Sequence, residues 1–329
     1  MCTAVFLQTP TSVPYFGRTM DFSYPLDPEI YFCPAGYKWQ GILLGEEFQT
    51  THRFMGIGQN LSPVTFAEGV NERGFAVASL YFPGYAHYDM PDSTDSTSVT
   101  STGLLTYLLG TCACVDHAAS ILPALHIVGV EDAVTHTVAP LHWIMADSSG
   151  ACMVIEKDAQ GLHLIDNPIG VLSNSPDFTW HMTNLRNYAC VTPQQEAQVT
   201  WDGVTLTPFG QGAGTLHLPG DYTPPSRFVR TAYMKCHTLL PREDNEAVPS
   251  CFHILESVSI PKGCVMTSRQ TPDYTQYTSF INLASQEYFF RTYRNSQITA
   301  VPMPSAKPDT AGLLSLGKLN HAVSFRRLS

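Results

Sequence analysis

The sequence has few charged residues and no concentration of positive charge. Only 14% of its 329 residues are charged, and 28 acidic residues against 18 basic ones give a net charge of −10. No run of basic residues occurs along the chain. Because nucleic-acid binding needs a basic surface, we expect no nucleic-acid partner.

Long apolar runs are also lacking. No stretch reaches the ~18 consecutive apolar residues of a membrane-spanning helix, and no basic segment followed by an apolar one indicates a signal peptide. We therefore expect no membrane association. A cytoplasmic location is the simplest expectation, and there the thiols stay reduced.

The nine cysteines form no CxxC pair. Several lie in apolar runs, where cysteine behaves as a small buried side chain. Among the histidines, no two of His52, His87, His142 and His181 share a helix face at the spacing of metal ligands. We expect neither a metal nor another cofactor.

With 44% hydrophobic residues, the chain is long enough to bury a large core. It shows no internal repeat and no linker, so we expect one domain over residues 1–329. One segment, at about 192–227, is rich in glycine, proline and polar residues and has little periodicity. A segment of this kind indicates a functional or assembly loop.

Hydrophobic periodicity and turn residues predict strands mainly toward both ends of the chain, with helices between and after them. The predicted strands are Thr3–Gln8, Pro14–Thr19, Glu29–Cys33, Phe75–Phe82, Leu141–Ala146, Ala151–Glu156, Leu162–Ile165, Thr275–Ile281, Tyr288–Tyr293 and Gln297–Pro302. One helix is predicted to begin at Thr102, and three further helices are predicted at Val115–Leu125, Asp177–Tyr188 and Asn245–Val258. This pattern indicates an α+β fold with helices outside antiparallel sheets.

Cys2 stands directly after Met1. If Met1 is removed, one residue holds a thiol and an α-amine, which titrate near ~8.5 and ~8 and can exchange a proton at neutral pH. Arg18 and Asp21 follow the strand predicted to pair with the one that Cys2 begins. In that hairpin an arginine would stabilise a thiolate and an aspartate would hold the amine, although a surface salt bridge is the alternative.

Several motifs, in order along residues 2 to about 300, resemble the choloylglycine hydrolase family of N-terminal-nucleophile hydrolases. They are Cys2-Thr3, Arg18-Thr19-Met20-Asp21-Phe22, Asn71-Glu72-Arg73-Gly74, Tyr81-Phe82-Pro83-Gly84-Tyr85, Asn174-Ser175-Pro176, Trp180-His181, Thr183-Asn184-Leu185-Arg186, Leu206-Thr207-Pro208-Phe209-Gly210-Gln211-Gly212 and Pro219-Gly220-Asp221. This resemblance implies a four-layer αββα fold and hydrolysis of linear amide bonds.

The resemblance also implies roles for five residues. Cys2 matches the nucleophile, Arg18 and Asp21 match the residues beside it, and Asn174 matches the side-chain amide that donates to the oxyanion. A main-chain N–H near residue 81 would be a second donor. Arg227 matches a second active-site arginine, which either sets the local potential or orients the N-terminus. In this sequence it closes the irregular segment.

The family includes penicillin V acylases and bile salt hydrolases, and position 81 separates them. Bile salt hydrolases commonly carry asparagine before Phe-Pro-Gly, whereas this chain resembles penicillin V acylases in having Tyr81. A tyrosine ring can pack against a phenoxyacetyl group, and packing against Phe82 and Tyr85 is the alternative role for it. The sequence therefore favours penicillin V acylase activity, with deconjugation of glycine or taurine bile salts as the alternative.

The family's acyl pocket matches Met20, Phe22 and Tyr24 and the stretches Ile57–Phe66 and Ile127–Val134, with core packing as the alternative for each. An acyl-homoserine lactone acylase and a non-catalytic binder of acyl compounds rank lower. The resemblance also implies a homotetramer, in which the 192–227 segment reaches a neighbouring subunit.

Overall fold

The structure, a computed structural model, describes residues 1–43, 46–90, 97–131, 136–195, 197–305, 312–325 and 327, with the backbone alone at 244 and 245. Within these residues, no helix is long and apolar enough to cross a membrane.

Twenty strands are described. They are β1 (Cys2–Gln8), β2 (Pro14–Phe22), β3 (Glu29–Cys33), β4 (Lys38–Gln40), β5 (Glu47–Gln49), β6 (Phe54–Asn60), β7 (Val64–Asn71), β8 (Ala76–Tyr81), β9 (Ser98–Thr100), β10 (His126–Val128), β11 (Leu141–Ala146), β12 (Cys152–Asp158), β13 (Gly161–Asp166), β14 (Val171–Leu172), β15 (Val199–Trp201), β16 (Val204–Leu206), β17 (Tyr274–Asn282), β18 (Glu287–Thr292), β19 (Asn295–Pro302) and β20 (Leu314–Lys318).

Five α-helices accompany them: α1 (Leu104–Thr111), α2 (Val115–Ile121), α3 (Phe178–Leu185), α4 (Pro224–His237) and α5 (Asp244–Glu256). Short 3-10 turns cover Leu122–Ala124, Arg186–Tyr188 and Ala213–Thr215. At the start of α3, the Asp177 carboxylate accepts from the N–H of Trp180 at 2.8 Å, which satisfies one of the unpaired N–H groups of the first turn.

Two antiparallel sheets form the centre of the molecule. One has six strands in the order β14-β1-β2-β17-β18-β19, and the other has eight in the order β13-β12-β11-β8-β7-β6-β3-β20. Helices α4 and α5 pack on the six-stranded sheet, and α1 packs on β7 and β8 of the eight-stranded sheet. These four layers confirm the αββα fold.

The main hydrophobic core lies between the sheets and under α4 and α5. It joins side chains of the six-stranded sheet such as Phe16 and Phe280 to side chains of the eight-stranded sheet such as Met55 and Ile144, and all four are 0% exposed. Burying a side chain of this size contributes about 1.5–3 kcal/mol. Strand β1 is buried on both faces because α4 covers the side that points away from the other sheet.

The sequence failed to predict β6 and β7, the hairpin at the centre of the eight-stranded sheet. Gly56, Gly58 and Gly69 weaken its strand pattern. The structure requires glycine here because the two backbones approach closely. A Cβ at Gly56 would lie 2.6 Å from the carbonyl oxygen of Glu68, and one at Gly58 would lie 2.7 Å from that of Thr65.

The 192–227 segment is less irregular than predicted. It contains the β15–β16 hairpin and a 3-10 turn, and α4 begins within it at Pro224. Arg227 therefore lies in the first turn of a helix and does not close a loop. The proline pair at 224–225 suits the first turn of a helix, where a missing N–H costs nothing.

Candidate active site

Strand pairing in the six-stranded sheet brings the predicted N-terminal residues together. Cys2 pairs with Met20 across β1 and β2, and Asp21 pairs with Thr275 across β2 and β17. The Cys2 side chain is 3% exposed, and its sulfur lies at one end of a cleft between the two sheets. Cys2, Arg18 and Asp21 thus meet as the hairpin pattern predicted.

Arg18 is buried between the sheets, where several neighbours fix its guanidinium. Its Nη2 donates to Cys2 Sγ at 2.7 Å, its Nε donates to the carbonyl of Thr19, and its Nη1 donates to the carbonyls of Ala67 and Ser79 in the opposite sheet. Nη1 also lies 3.4 Å from Glu68 Oε2. Burial alone lowers the pKa of Arg18, but the negative charges of Cys2 and Glu68 outweigh that effect and raise it.

Asp21 is fully buried next to the second arginine. Its carboxylate accepts from the hydroxyls of Thr19 at 3.1 Å and Thr275 at 2.5 Å, and it lies 3.7 Å from Arg227 Nη1. Burial raises the pKa of Asp21, and the Arg227 charge opposes that shift. The backbone carbonyl of Asp21 also accepts from the Met1 amine at 2.7 Å.

Asn174 follows β14 and makes three hydrogen bonds around Cys2. Its Oδ1 accepts from the Cys2 N–H at 2.7 Å and from Arg227 Nη2 at 2.6 Å. Its Nδ2 donates to the carbonyl of Tyr81 at 2.7 Å. The nitrogen of Cys2 becomes the α-amine when Met1 is removed, so Asn174 is placed to hold that amine.

Arg227 reaches Cys2 from the first turn of α4. Its Nη1 donates to the Cys2 carbonyl at 2.6 Å and to the Thr3 hydroxyl, and its Nε donates to the carbonyl of Tyr222 at 3.0 Å. Burial lowers the pKa of Arg227, and the negative charge of Asp21 partly offsets that shift. These contacts favour a role in orienting the N-terminal residue, because three of the four hydrogen bonds of Arg227 are to Cys2, Thr3 and Asn174.

Two buried histidines hold the segment that carries Asn174. His181 Nε2 lies 2.7 Å from the Asn174 carbonyl, and His142 Nε2 lies 2.8 Å from the Ser173 carbonyl. Since a carbonyl only accepts, both imidazoles donate. Burial lowers the pKa of His181 to about 4, so its ring is neutral at neutral pH. Their contacts show which backbone the two histidines hold.

A cleft opens from Cys2 between the sheets. Its walls are mainly apolar and include Met20, Phe22, Leu26, Ile57, Leu61, Phe66, Tyr81, Ala139 and Leu141. The rings of Tyr81 and Phe22 lie 5.7 Å apart. Of the expected pocket residues, Met20, Phe22 and much of the stretch Ile57–Phe66 therefore line the cleft, whereas Tyr24 does not.

The third expected stretch, Ile127–Val134, does not line the cleft in its described part. Ile127 and Val128 belong to β10 and are buried against the helix side of the eight-stranded sheet, and residues 132–134 lie outside the described residues. For Ile127, core packing is the correct alternative.

Sequence analysis missed Glu68, which is 1% exposed beside Arg18. The available signal was a carboxylate in the otherwise apolar and small run Phe66-Ala67-Glu68-Gly69-Val70, because an acidic residue is almost never buried unless it is paired. Burial raises the pKa of Glu68, and Arg18 opposes that shift.

Within the described part of the chain, no group of three or more His, Cys, Asp or Glu side chains is arranged to hold a metal ion.

Known proteins that resemble this chain are amide hydrolases. The profile of linear amide C–N hydrolases of the choloylglycine hydrolase family matches residues 2–315. A bile salt hydrolase/transferase from Clostridium perfringens is 34% identical over 304 residues, which cover 92% of each chain. The crystal structure of the C2A variant of conjugated bile acid hydrolase from the same organism superposes with a TM-score of 0.92 at 32% identity, covering 100% of both chains.

A penicillin V acylase is a more distant match. The enzyme from Pectobacterium atrosepticum is 22% identical over 300 residues, which cover 85% of this chain and 74% of the acylase.

Proposed function

Because this chain belongs to the choloylglycine hydrolase family of linear amide C–N hydrolases, we propose that it deconjugates bile salts, with Cys2 as its nucleophile after removal of Met1. The observation that carries the proposal is the meeting of Cys2 Sγ, two buried arginines and the Asn174 amide at the end of an apolar cleft. The cleft suits an apolar acyl group, and the charged groups surround the amide that would be cut.

The reaction begins with attack of the Cys2 thiolate on the amide carbonyl carbon. Arg18 Nη2, donating to Sγ at 2.7 Å, stabilises negative charge on the sulfur before attack. As the C–S bond forms, the carbonyl π electrons move to oxygen. The Asn174 amide is the proposed donor to that oxyanion, and such a donor contributes ~3 kcal/mol to the transition state.

Collapse of the tetrahedral intermediate breaks the C–N bond. The protonated α-amine of Cys2, held by Asn174 Oδ1, gives its proton to the leaving nitrogen, so glycine or taurine departs as a neutral amine. The neutral α-amine then removes a proton from water, and the resulting hydroxide displaces Sγ from the thioester. The products are the free acid and the thiolate enzyme.

A main-chain N–H near residue 81 was expected as a second donor to the oxyanion, but neither of the next two residues along the chain offers a free one. The N–H of Phe82 donates to the Pro140 carbonyl at 2.7 Å, and residue 83 is a proline without an N–H.

Penicillin V is the second candidate substrate, and Tyr81 is the observation that favours it. On the sequence, that residue alone favours penicillin V over bile salts. The family relatives reverse the order, because the bile salt enzyme matches over 92% of its length at 34% identity and the acylase over 74% at 22%. Similarity over most of the chain carries more information than one side chain.

A paired assay of glycocholate and penicillin V tests this order. We expect kcat/KM for glycocholate to exceed that for penicillin V by at least about tenfold, which corresponds to ~1.4 kcal/mol of transition-state binding. The variants Tyr81→Asn and Tyr81→Phe are matched controls, since phenylalanine keeps the ring and asparagine removes it. Tyr81→Asn should lower the penicillin V rate more than Tyr81→Phe does. A preference of the wild type for penicillin V would contradict the proposal.

We also propose that the protein is a homotetramer that uses the β15–β16 hairpin for assembly. Large apolar side chains are exposed on and beside the hairpin, among them Trp201 at 70% and Val204 at 60%. Exposed clusters of this kind mark interaction surfaces. Light scattering should give a tetramer for the wild type and smaller species for Trp201→Asp, while Trp180→Asp, at an exposed tryptophan of α3, should leave the tetramer intact. A monomeric wild type would refute the assembly.

A further inference from the structure

Glu68 is a buried carboxylate that the reaction steps above do not use. It lies in β7 of the eight-stranded sheet and is 1% exposed. Its side chain points across the interface to the six-stranded sheet, where all three of its side-chain partners lie. Burying a carboxylate in a core is costly unless it is paired and fully hydrogen-bonded.

Each oxygen of Glu68 receives a donor from the opposite sheet. Oε2 accepts from the Tyr277 hydroxyl at 2.9 Å and lies 3.4 Å from Arg18 Nη1, and Oε1 accepts from the Ser279 hydroxyl at 2.9 Å. Arg18 presents its other terminal nitrogen, Nη2, to Cys2 Sγ. One guanidinium therefore bridges the carboxylate and the nucleophile.

Fixing Arg18 does not by itself require a charge at position 68. The carbonyls of Thr19, Ala67 and Ser79 already accept from Nε and Nη1. What Glu68 adds is negative charge. The charged groups around Cys2 are then Arg18, Arg227 and the α-ammonium of a processed chain on the positive side, and Asp21, Glu68, Asp273 and the Cys2 thiolate on the negative side.

We propose that Glu68 is a positioning residue that acts on Cys2 through Arg18. Its carboxylate holds the guanidinium and limits the positive charge that the sulfur experiences, so that the thiolate stays basic enough to be a strong nucleophile. This inference rests on the proposed role of Cys2 but not on the identity of the substrate.

The pH dependence of Cys2 alkylation by iodoacetamide tests the proposal. Mass spectrometry of the N-terminal peptide reports Cys2 separately from the other eight cysteines of the chain. In Glu68→Gln, the loss of a nearby negative charge should move the midpoint of alkylation down by about one pH unit. The limiting rate at high pH should fall about threefold, because thiolate nucleophilicity decreases with basicity.

Ser279→Ala is the matched control, since it removes one hydrogen bond to Glu68 and keeps the carboxylate. Its midpoint should stay within about 0.3 pH units of the wild type. Equal midpoints for Glu68→Gln and the wild type would overturn the proposal and leave Glu68 a packing residue. A wild-type Cys2 with no pH-dependent alkylation would instead refute the nucleophile itself, which separates the two failures.

If Glu68→Gln does not fold, thermal unfolding supplies the second test. Arg18→Gln leaves the buried Glu68 carboxylate without its cationic partner, so we expect the double variant Arg18→Gln/Glu68→Gln to be more stable than Arg18→Gln alone. A double variant no more stable than the single one would show that the two charges are not coupled, and the proposal would fail.

Discussion

Replacing Cys2 with alanine is expected to lower the rate of amide hydrolysis by about 10⁴-fold or more, the size of loss seen when a catalytic nucleophile is removed. No other described thiol can substitute for it, because none is bonded to an arginine in the way that Cys2 Sγ is bonded to Arg18 Nη2. The variant should still fold, since alanine leaves only a sulfur-sized gap in β1. Initial rates with glycocholate and penicillin V measure the effect.

Cys152→Ala is the matched control for this loss. Cys152 is also buried at the start of a strand, β12, but burial raises the pKa of its thiol to about 12 and it lies away from the cleft. Its replacement should retain nearly the full rate. A wild-type rate of Cys2→Ala on every amide tested would contradict the mechanism. An equal loss of rate in Cys152→Ala would show that the loss comes from misfolding.

Asn174→Ala is expected to lower kcat by about 10²–10³-fold, which is the usual cost of losing an oxyanion donor. The same change also removes the acceptor for the Cys2 nitrogen and for Arg227 Nη2. KM should change less than kcat, because these contacts surround the reacting atoms and not the acyl cleft. Steady-state kinetics separate the two parameters.

Asn167→Ala controls for the structural part of the Asn174 effect. Asn167 is 3% exposed and bonds to the backbone of Gly170 and Val171 near the other end of the same segment. The Asn167→Ala substitution should destabilise the fold by ~1–3 kcal/mol while keeping kcat within a few-fold of the wild type. A kcat for Asn174→Ala close to that of Asn167→Ala would contradict a role in the chemical step.

The N-terminal part of the site was predictable from local sequence. Cys2, Arg18 and Asp21 lie on one hairpin, and antiparallel pairing alone brings the start of β1 next to the end of β2. Asn174 and Arg227 approach Cys2 from 172 and 225 positions away. Such contacts follow from the packing of whole layers, so only the family resemblance indicated them.

The errors have similar physical causes. The β6–β7 hairpin was missed because its glycines serve close backbone contact and carry no strand signal. Helix α4 was missed because the segment before it is rich in proline and glycine, a composition typical of a loop. Glu68 was missed because its partners, Tyr277 and Ser279, lie about 210 residues further along the chain.

The most direct test of the central claim is the mass of the N-terminal peptide during turnover. Acid quenching of the enzyme with glycocholate or penicillin V, followed by trypsin digestion, should yield the peptide from Cys2 to Arg18 without Met1 and with the mass of one added acyl group. Cys2→Ala should give the corresponding peptide without the acyl group. An active enzyme that retains Met1, or an acyl group found on another residue, would contradict the account.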